Sequence, residues 1–250
     1  MNHSSSFNHL ESIEITKNLT SKNLIEQQTG IDILKNMLTH YESTNELIII
    51  NFVSTILELG CDKRLQLEVE LLCDLIVKKV NPYAFEFLFN EISKTFESVK
   101  FQAKIQGLRM VYIYAKTHPE IISSNLPVII ESLIQLSSDI KKEVKNAVQE
   151  CWIAIVETIE NVDMKPIIPA MIDGYMNPST KTEYALEKLS SQALVNDIDI
   201  PTLALLIPLL VRAMREKKVA SQRKAAVVMD TLCKLIKNPV YARIFYDKLS

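Results

Sequence analysis

The sequence predicts an all-α protein built as a solenoid of stacked helix pairs, and three observations carry that prediction. Apolar residues recur with a period near 3.6 in each long segment, as one buried helix face requires. Glycine occurs only four times in 250 residues, while leucine, isoleucine, glutamate and lysine abound, a composition suited to helices with short joints. The pattern also returns about every 40 residues, the length of one helix pair in a stacked array. The clearest copy runs from Pro201 to Pro239. Leu203, Leu206, Ile207, Leu210 and Met214 stand at i, i+3, i+4, i+7 and i+11, and Ala225, Val228, Met229, Leu232 and Ile236 repeat that spacing. Two helices this short cannot bury both stripes alone and must stack on a similar neighbour.

The elements follow in order. Residues 1–12, beginning MNHSSSFNHL, lack the basic and apolar regions of a signal peptide and read as a disordered polar tail. Residues 13–250 read as one repeat domain. Ile13 to Leu19 and Leu24 to Tyr41 are its first helices. Asn45–Leu59 pairs with Lys63–Lys79 around Gly60 and Asp62, and Pro82–Thr95 pairs with Val99–Lys116. Proline suits the first turn of a helix, where its missing N–H would lack a partner anyway, so Asn81-Pro82 and His118-Pro119 mark boundaries. Glu120–Ser137 with Asp139–Glu160, then Asp163–Met176 with Ser179–Val195, continue the series. Val240–Leu249 opens a further helix with no partner, so the last repeat is incomplete.

Equivalent positions support the repeat. Lys104, Lys145 and Lys224 each fall early in a second helix, 41 and 79 residues apart, one and two units of the period. Ala147 and Ala226 follow two residues later, where a small side chain would let helices approach closely. The Asp139-x4-Val144-Lys145-x-Ala147 spacing matches the HEAT signature. The fold class is therefore all-α, a HEAT/armadillo-type α-solenoid of about five to six helix pairs.

Composition excludes several functions. A hydrophobic fraction of 48% is too high for wholesale disorder. The longest apolar run, Leu203 to Val211, falls far short of the roughly 20 residues of a membrane span. With no leader and no span, the protein is expected in the cytoplasm, off the membrane, and the sequons at Asn2 and Asn18 carry no meaning. Cys61, Cys73, Cys151 and Cys233 form no C-x-x-C pair and read as small buried hydrophobes in a reducing compartment. A net charge of −2 argues against coating nucleic acid over the whole surface but permits a local basic ridge.

Catalysis finds little support. His3, His9, His40 and His118 make no i, i+4 pair, so no metal site is expected. Glu68 and Glu70 flank Val69 and point apart, as on a solvated face. Trp152, beside Cys151 and near Ile155, Val156 and Ile159, reads as a core residue rather than a stacking platform. Of Tyr112 and Tyr114, two apart on a helix, at most one faces the core. The four glycines, Gly30, Gly60, Gly107 and Gly174, cannot make the G-x-x-x-x-G-K-[ST] loop that cradles a nucleotide's phosphates. No cofactor and no small-molecule substrate are expected, and the chain is expected not to be an enzyme.

A family resemblance then becomes specific. Asn81-Pro82, Lys100-Phe101-Gln102-x-Lys104-Ile105, Asp139-Ile140-Lys141-Lys142-Glu143-Val144-Lys145 and Arg223-Lys224-Ala225-Ala226-Val227 through Cys233-Lys234-Leu235 occur in this order. From about Asn81 to Pro239 the series resembles the N-terminal HEAT domain of fungal-type translation elongation factor 3, of the ABC-F ATPase family. The ribosome-binding HEAT protein that activates the starvation-responsive kinase is a second, similar family. The resemblance implies a non-catalytic ribosome-binding module, docking on ribosomal RNA and proteins. Its parent factor would couple ATP hydrolysis to release of tRNA from the exit site. The alternative is a general HEAT scaffold or adaptor for transport, a phosphatase or the starvation pathway.

One cluster fits the docking role. Arg212, Arg215, Lys217, Lys218, Arg223 and Lys224 face only Glu216, a local charge of about +5. Lys141, Lys142 and Lys145 occupy the matching turn two units earlier. Arg212, Arg215, Lys217 and Lys218 are expected on RNA phosphates. Lys145, Arg223 and Lys224 read equally well as rungs of a salt-bridge ladder to acids such as Asp139 and Asp230. The partner is then a ribosome, contacted by a monomer.

Overall fold

The computed structural model describes residues 3–40, 45–241 and 243. Among them the backbone forms thirteen α-helices, two short 3₁₀ turns and no strand, the architecture of an all-α HEAT-repeat solenoid. The chain divides into two compact units, Met1–His118 and Pro119–Ser250.

The first unit holds α1 (His3–Leu19), α2 (Leu24–Thr39), α3 (Glu46–Asn51), α4 (Val53–Leu59), α5 (Gln66–Lys79), α6 (Phe85–Lys94) and α7 (Phe101–Thr117). Helical backbone thus begins at His3, inside the stretch 1–12 read as a tail. Once Ile15 and Leu19 are buried, extending that helix backwards needs only propagation, not a new nucleus. The helix expected over Asn45–Leu59 is instead two, broken at Phe52, whose N–H is shared between the carbonyls of Ile49 and Ile50. Ile48, Ile49, Ile50 and Val53 are β-branched and lose rotamer freedom in a helix, which weakens it there. Helices α2, α5 and α7 pack in succession, and α4 packs on α6 and α7. Asn81 caps the turn Pro82–Ala84, its Oδ1 accepting the Tyr83 N–H at 3.0 Å. Gly107 lets α7 close on the turn after α6, because a Cβ there would lie 2.4 Å from Thr95 Oγ1. Tyr114 is fully buried and Tyr112 exposed.

The second unit holds α8 (Pro119–Leu136), α9 (Lys142–Val156), α10 (Ile168–Met176), α11 (Pro178–Ser190), α12 (Ile200–Arg215) and α13 (Val219–Leu235). Here α8 packs on α9 and α12, α10 on α11, and α13 on both α11 and α12. Helix α10 starts five residues later than Asp163, where the sequence places it. Pro166 disfavours helical backbone at Lys165, and Asp163 is engaged elsewhere. Its Oδ2 accepts the N–H groups of Val195 and Asn196, both at 2.8 Å. These bonds hold the Asp163 carboxyl below its ordinary range. Trp152 and Tyr175 are fully buried and stack at 5.2 Å with their planes 7° apart. The Tyr175 hydroxyl donates to the Leu205 carbonyl, and burial pushes its pKa up. One aromatic pair therefore ties α9, α10 and α12 together.

Three expectations are corrected. Cys233, read as a buried hydrophobe, is exposed on α13, and Cys61 is half-buried. Met214, placed on the buried stripe of α12, is 41% exposed. The helix is covered on most sides, so Ala204, Leu205, Leu209 and Ala213 supply the rest of its buried surface. Ala226 is also exposed, and Ala225 is the small residue at the helix contact. The helix expected over Val240–Leu249 lies outside the described residues, apart from 240, 241 and 243.

The repeat is visible in the side chains. Glu46 accepts from the Asn81 N–H, Lys35 pairs with Glu68, and Arg109 pairs with Asp74. These links span 35, 33 and 35 residues, one repeat each.

Candidate functional site

The basic turn lies between α12 and α13. Glu216 adopts extended backbone and stops α12. The Gln222 side chain reaches back, donating to the carbonyls of Glu216 at 2.9 Å and Met214 at 3.3 Å. Those are the terminal acceptors a helix end leaves unsatisfied, so the return into α13 is pinned. The turn presents its cations from a fixed backbone.

The structure divides those cations into three groups. Arg212 turns inward and is half-buried. Its Nη1 donates to the Gly174 carbonyl at 3.1 Å and lies 3.3 Å from Thr182 Oγ1. Its guanidinium stands 5.8 Å from the Tyr175 ring centre. Gly174 belongs to the last turn of α10, where exposed carbonyls and the helix dipole favour a cation.

Lys218 and Lys224 form rungs. Lys218 pairs with Glu183 and Lys224 with Glu187, joining α13 to α11 across 35 and 37 residues. The hydrogen bond and charge of Lys218 hold the Glu183 carboxyl below its usual range. For Lys224 the acid is not the suggested Asp230, which pairs with Lys234 one helical turn on, while Asp139 Oδ1 accepts the Lys141 N–H at 2.8 Å. Arg215, Lys217 and Arg223 form the third group. They are exposed, and among the described residues the structure gives them no acidic partner. Arg215 borders a surface hollow of about 500 Å³ lined by Ile134, Pro208, Val211, Arg212 and Glu216.

At the matching place Lys141 caps α9 and Lys142 opens it, both exposed, with Lys145 half-buried one turn on. A third cluster, on α11, is one that the sequence expectations missed. Tyr184 is exposed there, with Lys181 and Lys188 at 5.5 and 5.7 Å from its ring centre. The i−3 and i+4 spacing of two lysines about one tyrosine was the signal at hand.

No three His, Cys, Asp or Glu side chains among the described residues are grouped to hold a metal. No described helix is long and apolar enough to cross a membrane. The chemistry on offer is cationic contact from a pinned turn.

Comparison with known proteins gives this geometry its family. The model for the EF3 N-terminal HEAT repeat matches residues 3–152, and that for the elongation factor 3/GNC1 HEAT repeat matches residues 181–250. Elongation factor 3 of Gonapodya prolifera is 31% identical over 207 residues, covering 82% of this chain and 19% of the relative. That of Phytophthora infestans is 36% identical over 152 residues, covering 61% and 14%. That of Pneumocystis carinii is 25% identical over 244 residues, covering 95% and 23%. The chain thus spans about a fifth of the length of these relatives. With the matched HEAT models accounting for most of its residues, and helix pairs linked at one-repeat spacing, the chain belongs to the family of elongation factor 3 N-terminal HEAT repeats.

Proposed function

We propose that the chain is a non-catalytic docking module that seats an elongation factor 3-like protein on the ribosome. The observation that carries this reading is the group Arg215, Lys217 and Arg223: exposed cations, without acidic partners among the described residues, on and beside a turn that the Gln222 side chain bridges. Long cationic side chains presented this way suit phosphate oxygens, and each contact releases condensed counterions. The module works as a monomer in the cytoplasm, with ribosomal RNA phosphates on the ridge and ribosomal proteins on neighbouring helix surfaces. Nucleotide binding is not part of its role. In a parent factor, ATP hydrolysis driving release of exit-site tRNA belongs to cassettes outside these HEAT repeats.

The test replaces Arg215, Lys217 and Arg223 with alanine. Sedimentation with ribosomes should weaken, and the slope of log affinity against log salt should flatten by close to one unit for each phosphate no longer neutralised. The melting temperature should hold, because these side chains support no packing. Wild-type binding indifferent to salt and to the triple change would reject the turn as the docking surface.

A further inference from the structure

Helix α11 carries four charged side chains on its exposed faces, and its two acids are already engaged. Glu183 and Glu187 face α13 and pair with Lys218 and Lys224. Lys181 and Lys188 lie on the other side of the helix, exposed, with no acidic partner among the described residues. Between them Tyr184 is 45% exposed, with both ammonium groups within 6 Å of its ring centre. Cross-repeat ion pairs in this protein join residues 33 to 42 apart. Neither Lys181 nor Lys188 makes such a pair among the described residues, and the residue 36 positions before Lys181 is another cation, Lys145. The helix thus presents an exposed ring bracketed by positive charge that its own repeat neighbours leave uncompensated.

From this arrangement we infer that Tyr184, Lys181 and Lys188 form a binding site for an unpaired RNA nucleotide. The inference rests on the docking reading and names one class of RNA element the module holds. An exposed aromatic face stacks any base, and adjacent cations follow the phosphates on either side of it. A base settling on the ring displaces one ammonium, which is then free to reach the adjoining phosphate. Duplex RNA cannot use the site in this way, because its bases are stacked on each other and offer no free face. An acidic peptide would satisfy the lysines but leave the ring without a partner. The chemistry therefore selects single-stranded RNA.

The experiment uses the full chain and two fluorescein-labelled probes, a short oligouridine and a blunt RNA duplex, read by anisotropy over a salt titration. Tyr184→Ala should weaken oligouridine binding by roughly tenfold or more and leave duplex binding unchanged. Tyr184→Phe should retain the affinity, which separates loss of stacking from loss of fold, and circular dichroism of both variants checks the helices. Lys181→Ala with Lys188→Ala should flatten the single-strand salt slope by about 0.7 for each phosphate no longer neutralised. Absence of oligouridine binding, or binding unaffected by Tyr184→Ala, overturns the inference. Polyglutamate that binds as well as oligouridine, in a Tyr184-dependent way, overturns it in favour of an acidic protein partner. The Arg215, Lys217 and Arg223 variant keeps the two readings apart. If it loses ribosomes while Tyr184→Ala changes nothing, the nucleotide site fails and the docking surface stands; the opposite result rejects the turn alone.

Discussion

Replacing Arg212 with alanine should destabilise the protein without weakening its hold on ribosomes. The sequence places this residue among the candidate phosphate contacts, but in the structure it turns inward toward α10 and α11. Its Nη1 makes a charge-assisted bond to the Gly174 carbonyl at 3.1 Å, and its guanidinium lies 5.8 Å from the Tyr175 ring centre. A hydrogen bond from a charged donor contributes about 1.5–3 kcal/mol, and a partly solvated cation–π contact about 0.5–1 kcal/mol. The two share one group and are not additive, so a combined loss of about 2–3 kcal/mol is expected. For a unit of this size each kcal/mol lowers the melting temperature by about 3–5 °C. The transition should therefore fall by roughly 6–15 °C. Arg212→Lys should lie in between, because an ammonium keeps the charge but loses the planar fork that stacks on a ring. Thermal melts followed by circular dichroism at 222 nm, with ribosome sedimentation at matched salt, read both quantities. An unchanged melting temperature together with abolished sedimentation would refute the reasoning and return Arg212 to the docking surface.

Three further outcomes follow from the same geometry. Gly107→Ala should lower stability by about 1–3 kcal/mol in denaturant titration, since its new Cβ would overlap Thr95 Oγ1 and Phe96 and overpacking outweighs the gain in helix propensity. Asp163→Asn should lower the melting temperature at neutral pH. The folded Asp163 carboxyl is held low chiefly by the Asn196 and Val195 amides, so its contribution is present above the unfolded pKa and lost as pH falls through the folded one; mutant and wild type should converge in acid. Cys73 and Cys151 are fully buried with thiols pushed up to about 12, so they should resist Ellman's reagent until denaturant is added, while exposed Cys233 reacts in the native protein.

Much of the fold was legible because helices announce themselves through period and punctuation. The stripes on α12 and α13, the Asn81-Pro82 cap and the burial of Trp152 all follow from residue spacing. The break at Phe52 was not, because period 3.6 runs on through Ile49, Val53 and Ile56 while the β-branched run loosens the backbone beneath it. The role of Arg212 was missed for a related reason. One stripe was read on α12, but Leu205 and Leu209 form a second buried row, and Arg212 continues it at i+7 from Leu205. An arginine at the end of an apolar row belongs to the interior of the repeat, where a helix C-terminus waits for a cation. The ladder was foreseen in kind but not in its partners. Asp230 sits four residues before Lys234 on the same helix, and that local pairing needs less ordering than a reach across repeats.

Pairing also sorts the cations around the turn between α12 and α13 and on α11. Lys218 and Lys224 each find a glutamate 35 or 37 residues earlier, and both are tied down. The residues 35 to 37 before Arg215 are Pro178, Ser179 and Thr180, and those before Lys217 are Thr180, Lys181 and Thr182. Neither window contains an acid. Arg223 has Glu187 in its window, but Lys224 already holds that carboxylate. The same interval before Lys181 and Lys188 meets Val144, Lys145, Asn146, Cys151, Trp152 and Ile153, again without an acid. Lys218 and Lys224 contribute to the stack through their glutamates, whereas Arg215, Lys217, Arg223, Lys181 and Lys188 are exposed and have no acidic partner among the described residues. Under the proposed docking a phosphate backbone supplies that missing anion, so that neighbours such as Lys217 and Lys218 serve different ends, recognition and stability.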